Sequence, residues 1–173
     1  MAEPLLAVSF TAARDLDDGG RAVILNVLPA VPFADQYITG GAIGGDAFIG
    51  RWLAENRPDA EHAVIVPADK SRVDPWWLTA VIRCLTLIEV IPMPAGSTYA
   101  DRNAVLVERG TMMFGFPAGP EDHPQSARSG TWQTIRMARR AGKLSQWHCV
   151  KPPYAGRIEA YPSQWAPERI TDG

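Results

Sequence analysis

Short apolar runs alternate with segments of helical period along most of the chain, and this alternation restricts the fold more than any single motif does. LLAVSF (5–10), QYIT (36–39), HAVIVPA (62–68), IEVIPMP (88–94), TMMFGFPAG (111–119) and QWHCV (146–150) read as strands. Residues 46–56 put Phe48, Ile49, Trp52 and Leu53 on one helical face, with Arg51 and Glu55 away from it. Asp74-Pro75 supplies an N-cap and a proline at the first helical position, ahead of Leu78, Val81, Ile82 and Leu85 at helical spacing. Ser97 or Thr98 can cap a helix through Arg109, and SGTWQTIRMARRAG forms another. Residues 20–28 (GRAVILNVL) fit helix or strand equally, because so short a run carries no decisive period. Strands separated by helices predict an α/β, Rossmann-like, doubly wound and mainly parallel sheet with helices on both faces.

The chain has 173 residues, a length that suits one domain. We expect that domain to span residues 1–150, with residues 151–173 an extended arm on the body or on a partner; a partly disordered end is the alternative. A net charge of −2 and a pI near 5.9 argue against a protein held to nucleic acid mainly by counterion release. No apolar run reaches membrane-spanning length, and MAEPLLAVSF has no basic region before its apolar stretch, so a cytoplasmic protein is expected. Cys84 and Cys149 match no metal-ligand spacing and read as buried free thiols; neither a metal nor a cofactor is expected.

In an open parallel sheet, ligands bind beyond the carboxyl ends of the strands, where helix N-termini point. Three segments have that location. The first is TGGAIGGD (39–46), where Gly40 and Gly41 let the backbone approach a phosphate and Asp46 opens the helix. A plain strand-to-helix turn explains it equally well, since it fits neither the dinucleotide fingerprint nor a P-loop. The second is GSTYADRN (96–103), with Arg102 and Asn103 in the first turns of a helix. An arginine there opposes the helix dipole, and a bound anion would supply the missing negative charge. The alternative is a surface salt bridge from Arg102 to Asp101 or a glutamate. The third is SARSGTWQT (126–134): Ser129 can cap the helix, leaving the amides of Gly130 and Thr131 for an anion, with Arg128 nearby.

Together, TGGAIGGDAFIGRWLAE, DRNAVLVERGTMMFGFPAG and SGTWQTIRMARRAG, in this order, resemble the SLOG superfamily. That group includes the Lonely Guy phosphoribohydrolases and the DNA-processing protein A (DprA) family, and the likeness is greatest to its small YpsA-related members. It runs from about Leu5 to Val150, and Arg14 after the first strand matches an arginine these small members often carry. The resemblance implies a Rossmann-like sheet that binds a nucleotide or nucleotide-like ligand. Gly40, Gly41, Arg102, Gly130 and Thr131 would converge on its phosphate, and Arg14, Asp46, Asn103 and Ser129 would complete the site. Family habit also implies a homodimer or higher homo-oligomer.

One departure bears on chemistry. The Lonely Guy motif P-G-G-x-G-T-x-x-E is interrupted here by an inserted loop, PEDHPQSARS, and the glutamate position is Thr134. Cleavage of an N-ribosidic bond needs a carboxylate to stabilise positive charge or activate water. Asp46, Asp101, Glu121 and Asp122 are the replacements within reach in sequence, with Asp101 and its neighbour Arg102 the catalytic candidates. His123 reads as an exposed loop histidine or a ligand contact; His62 and His148 read as structural. Two other functions compete. The basic set Arg128, Arg136, Arg139, Arg140 and Lys143 would serve single-stranded DNA binding of the DprA kind, or be a solvated helix face. A partner-binding protein without ligand is the third.

Overall fold

In the computed structural model, the described residues are 5–69, 71, 73, 75, 88–156 and 158–160. The helix expected after Asp74, Cys84 and the chain beyond residue 160 lie outside them. The strands are β1 (Ala7–Ala12), β2 (Gln36–Thr39), β3 (Glu61–Val66), β4 (Ile88–Pro92), β5 (Met112–Phe116), β6 (Leu144–His148) and β7 (Ile158–Ala160). The helices are α1 (Asp18–Val27), α2 (Gly45–Asn56), α3 (Tyr99–Arg109) and α4 (Gly130–Arg140). They form one sheet in the order β4-β3-β2-β1-β5-β6-β7, parallel except for the antiparallel edge strand β7. The expected Rossmann-like α/β fold is what forms.

Period-2 alternation sorts each strand's side chains to two cores. Val8, Phe10, Tyr37, Phe114 and Phe116 join Ile24 of α1 and Ile49 and Leu53 of α2 on one face. Ile38 and Met113 join Leu106 of α3, Trp132, Ile135 and Ala138 of α4, and Trp147 on the other. Both faces are therefore covered, which is why β1, β5 and nearly all of β3 are buried without an exposed interval. Trp132 and Trp147 meet edge to face at 5.0 Å between ring centroids, a core role for two of the tryptophans.

Residues 20–28, open in the sequence, lie almost wholly in α1. Asp17 caps it by accepting from the Gly20 amide at 2.8 Å, and Ile24 docks into the first core. Within the tail, residues 158–160 pair with β6 as β7. Lys143 donates to the Val107 and Glu108 carbonyls at 2.9 and 2.8 Å, which closes the C-terminus of α3 with a cation.

The order places β1 between β2 and β5. The chain builds outward from β1 to β4, and α3 then carries it back across to β5. The sheet's direction of growth thus reverses beside β1, and the crevice at the carboxyl ends there is where such sheets take ligands.

Candidate functional site

The three segments nominated by the sequence meet at this rim, and two consecutive residues of α3 join them. Arg102 reaches α2: its Nη1 donates to Asp46 Oδ2 at 3.2 Å. Asn103 reaches α4: its Nδ2 donates to the Gly130 carbonyl at 3.4 Å. Both are buried, Arg102 at 5% exposure and Asn103 at 4%. The fold therefore ties three helix N-termini together through side chains one residue apart.

Thr98 starts α3 with a capping box. Its hydroxyl accepts from the Asp101 amide, and Asp101 Oδ2 accepts from the Thr98 amide at 2.7 Å and hydroxyl at 2.8 Å. Hydrogen bonds from the Thr98 backbone and side chain hold the Asp101 carboxyl below its ordinary range. The surface salt bridge Arg102–Asp101 does not form. Adjacent helical residues do not face each other, so Asp101 folds back to the cap while Arg102 points inward to an acid 56 positions earlier.

Asp46 is 4% exposed; its Oδ1 accepts from the Ala12 amide at 3.1 Å, anchoring α2 to the end of β1. Burial pushes its carboxyl up, against the Arg102 guanidinium and the hydrogen bonds from Ala12 and Ala42. Gly40 makes the pair possible. A Cβ there would lie 1.6 Å from Arg102 Nη1 and 2.5 Å from Asp46 Oδ2, so only glycine leaves room for the guanidinium. Gly41 and Gly44 turn the chain with φ of 65° and 96°, and a Cβ on Gly44 would meet the Arg14 carbonyl at 1.8 Å. The Gly45 amide donates to the Ala13 carbonyl. This turn thus seats α2 on β1 and clears the space for the Arg102 guanidinium.

Ser129 Oγ accepts from the Trp132 amide at 3.3 Å, and the first-turn amides of Gly130 and Thr131 have no intrahelical acceptor. Thr131 is 9% exposed. Thr134, at the motif's glutamate position, is fully buried, and its hydroxyl donates to the Gly130 carbonyl at 2.8 Å. Two further buried polar atoms at the rim have no partner: Arg102 Nε and Thr39 Oγ1. An unmade hydrogen bond on a buried group is costly, and such groups ordinarily find a water or a ligand.

Arg14 is exposed, and its guanidinium lies 5.9 Å from the centroid of the Tyr99 ring; that of Arg102 lies 5.6 Å from the same ring. Tyr99 thus bridges two cations, a contact the sequence reading missed. Its signal was the i, i+3 spacing to Arg102, which puts both on one helical face. Next to Arg14, Asp15 is paired with Lys151.

The inserted loop is held down from α4. Glu121 accepts from Arg136 Nε at 2.9 Å and from Arg139 Nη1 at 2.9 Å, and Trp132 Nε1 donates to the Gly119 carbonyl at 2.8 Å. Burial raises the Glu121 carboxyl, and the two arginines outweigh it, leaving it below its ordinary range. These contacts correct the solvated basic face for Arg136, Arg139 and Lys143, each bonded within the fold, while Arg140 is exposed. Of the four replacement carboxylates, Asp46, Asp101 and Glu121 have partners as described, while Asp122 is exposed. His123 accepts from the Gln125 amide and meets Tyr154 edge-on at 6.0 Å. His62 and His148 are buried, one bonded to the Arg57 carbonyl and one stacked on Phe116, and burial lowers the pKa of both.

Among the described residues no group of three His, Cys, Asp or Glu side chains is placed to hold a metal ion, and no helix is long and apolar enough to cross a membrane. Comparison of the chain with family models, curated proteins and solved structures finds no match.

Proposed function

We propose that the protein binds a nucleotide or nucleotide-derived ligand through its phosphate, at the carboxyl rim of the sheet where α2, α3 and α4 begin. The observation that carries this reading is Arg102. It is a buried guanidinium in the first turn of a helix, opposite to the dipole's preference, with its Nε unpartnered. The amides of Gly130 and Thr131, the Thr131 hydroxyl and the exposed Arg14 supply the remaining donors. The resemblance to the SLOG superfamily points to the same residues, and Tyr99 offers a ring beside them.

Binding is favoured over N-ribosidic hydrolysis. Asp46, Asp101 and Glu121 are each engaged by neighbours, and a buried threonine replaces the motif glutamate. The single-stranded DNA reading loses support because Glu121 and two α3 carbonyls occupy Arg136, Arg139 and Lys143.

A thermal-shift panel of purine and pyrimidine nucleotides tests the reading. At a hundredfold excess over Kd, a ligand specific to the folded state stabilises by about 2.7 kcal/mol, a readily measured shift. The expected result is stabilisation by a nucleoside monophosphate that Thr131→Val removes without unfolding the free protein. A broad panel with no shift overturns the reading. Chromatography of the same mixtures for released base separates binding from hydrolysis.

A further inference from the structure

The charges around Arg102 go further than a generic phosphate site, because the protein already places an anion on that guanidinium. Among the described residues, the ionisable groups facing the pair are few. From α3 there are Arg102 itself and Asp101, whose carboxylate is bonded to Thr98. From the loop after β1 there are Arg14, beside Tyr99, and Asp15, paired with Lys151. The first turn of α4 carries no ionisable side chain before Arg136, which is bonded to Glu121. Asp46 and Arg102, both withdrawn from water, cancel each other's charge, and the Arg14 cation and the Asp101 anion stand beside them.

A phosphodiester carries one negative charge, which the exposed Arg14 can meet without disturbing the buried pair. A phosphate monoester carries nearly two at neutral pH. Its second charge would sit close to an ionised Asp46, two anions sharing one buried guanidinium, and such pairs resolve by taking up a proton. Building on the phosphate-site reading, we propose that Asp46 is the residue by which the site tells these ligand classes apart: it takes up a proton from solvent when a phosphate monoester binds and stays ionised when a phosphodiester binds. The proton goes to Asp46 Oδ2, the oxygen that now accepts from Arg102 Nη1. Nη1 is thereby released and joins the unpartnered Nε as a donor to the monoester. Asp46 Oδ1 keeps its bond from the Ala12 amide, so α2 stays in place. No covalent bond of the ligand forms or breaks.

The test counts protons by isothermal titration calorimetry at about pH 8, in buffers of different ionisation enthalpy, where the phosphate monoester is already a dianion. The probes are a nucleoside 5′-monophosphate that shifts the melting temperature and its 5′-phosphate methyl ester. The monophosphate is expected to bind with uptake of about one proton and to weaken about tenfold per pH unit above pH 8, while the methyl ester binds with no uptake and a flat profile. Asp46→Asn abolishes the uptake. The band of a protonated carboxylic acid in infrared difference spectra of the wild type, present with the monophosphate and absent with the ester, places the proton on Asp46. Its absence with the monophosphate puts the proton on the phosphate and overturns the proposal, whether or not the variant folds. Equal proton counts for the two probes, or uptake that persists in Asp46→Asn, overturn the proposal while leaving the phosphate site standing. If neither probe binds, both fall together.

Discussion

The two ends of the sheet each hold an arginine whose buried Nε has no partner among the described residues: Arg102 at the carboxyl rim and Arg57 at the opposite end. Their settings differ in the way that matters. Arg57 follows the last turn of α2, where a cation suits the helix dipole, and its Nη1 donates to the adjacent Asn56 carbonyl at 3.1 Å. Its guanidinium also lies 4.1 Å from the centroid of Phe33, a ring 80% exposed at a groove of about 680 Å³. Arg102 stands at a helix start, deeply buried, over a glycine that exists for it, and against an acid from another helix. The same unpaired atom therefore has different surroundings: Arg57 is a half-solvated cation, and Arg102 is a desolvated one.

Substitution should separate the two ends sharply. Arg102→Ala strands a buried carboxylate, and breaking a buried pair in this way costs about 3–5 kcal/mol. Chemical denaturation should show that loss, and Asp46→Ala on top of Arg102→Ala should recover part of it; additive losses would dissolve the pair. At the inserted loop, Glu121→Gln removes a partly exposed carboxylate shared by two arginines, a loss of about 1 kcal/mol that added salt should shrink. At the opposite end, Arg57→Ala should cost less than about 1 kcal/mol, the worth of an exposed cation–ring contact. A cost equal to that of Arg102→Ala would erase the distinction.

The smallest effect expected is one of pH. Burial lowers the pKa of His62 and His148 below the usual 6.5, so the unfolded chain binds protons at pH values where the folded one does not. Their stability contribution is full above pH 6.5 and is lost as pH falls through their folded values. Unfolding titrations should show stability rising with pH up to that value, with His148→Gln flattening part of the slope.

How much of this was written in the sequence depends on the range of the interaction. Elements that rest on local period were legible: QYIT is β2 as expected, and Thr98 and Ser129 cap α3 and α4. The convergence of the glycine turn, Arg102 and Gly130 was legible too, because a parallel sheet sends all helix N-termini to one rim. The partner of Arg102 was not, since nothing local distinguishes the neighbouring Asp101 from Asp46. Only the packing of α2 on β1 brings Asp46 under the guanidinium, and only then does Gly40 show itself as the residue that clears the space. Likewise the spacing of Arg136 and Arg139 suggested a solvated face, because Glu121 reaches them from a loop with no period of its own.

The most direct measurement is a nuclear magnetic resonance titration of the isotope-labelled protein with a nucleoside 5′-monophosphate, following the backbone amides of Gly130 and Thr131 and the Arg102 side-chain Nε–H. These signals are predicted to move together and saturate on one binding curve, with the Arg57 Nε–H unmoved. A bound nucleotide that shifts other residues and leaves these in place would contradict a phosphate site at the meeting of α2, α3 and α4.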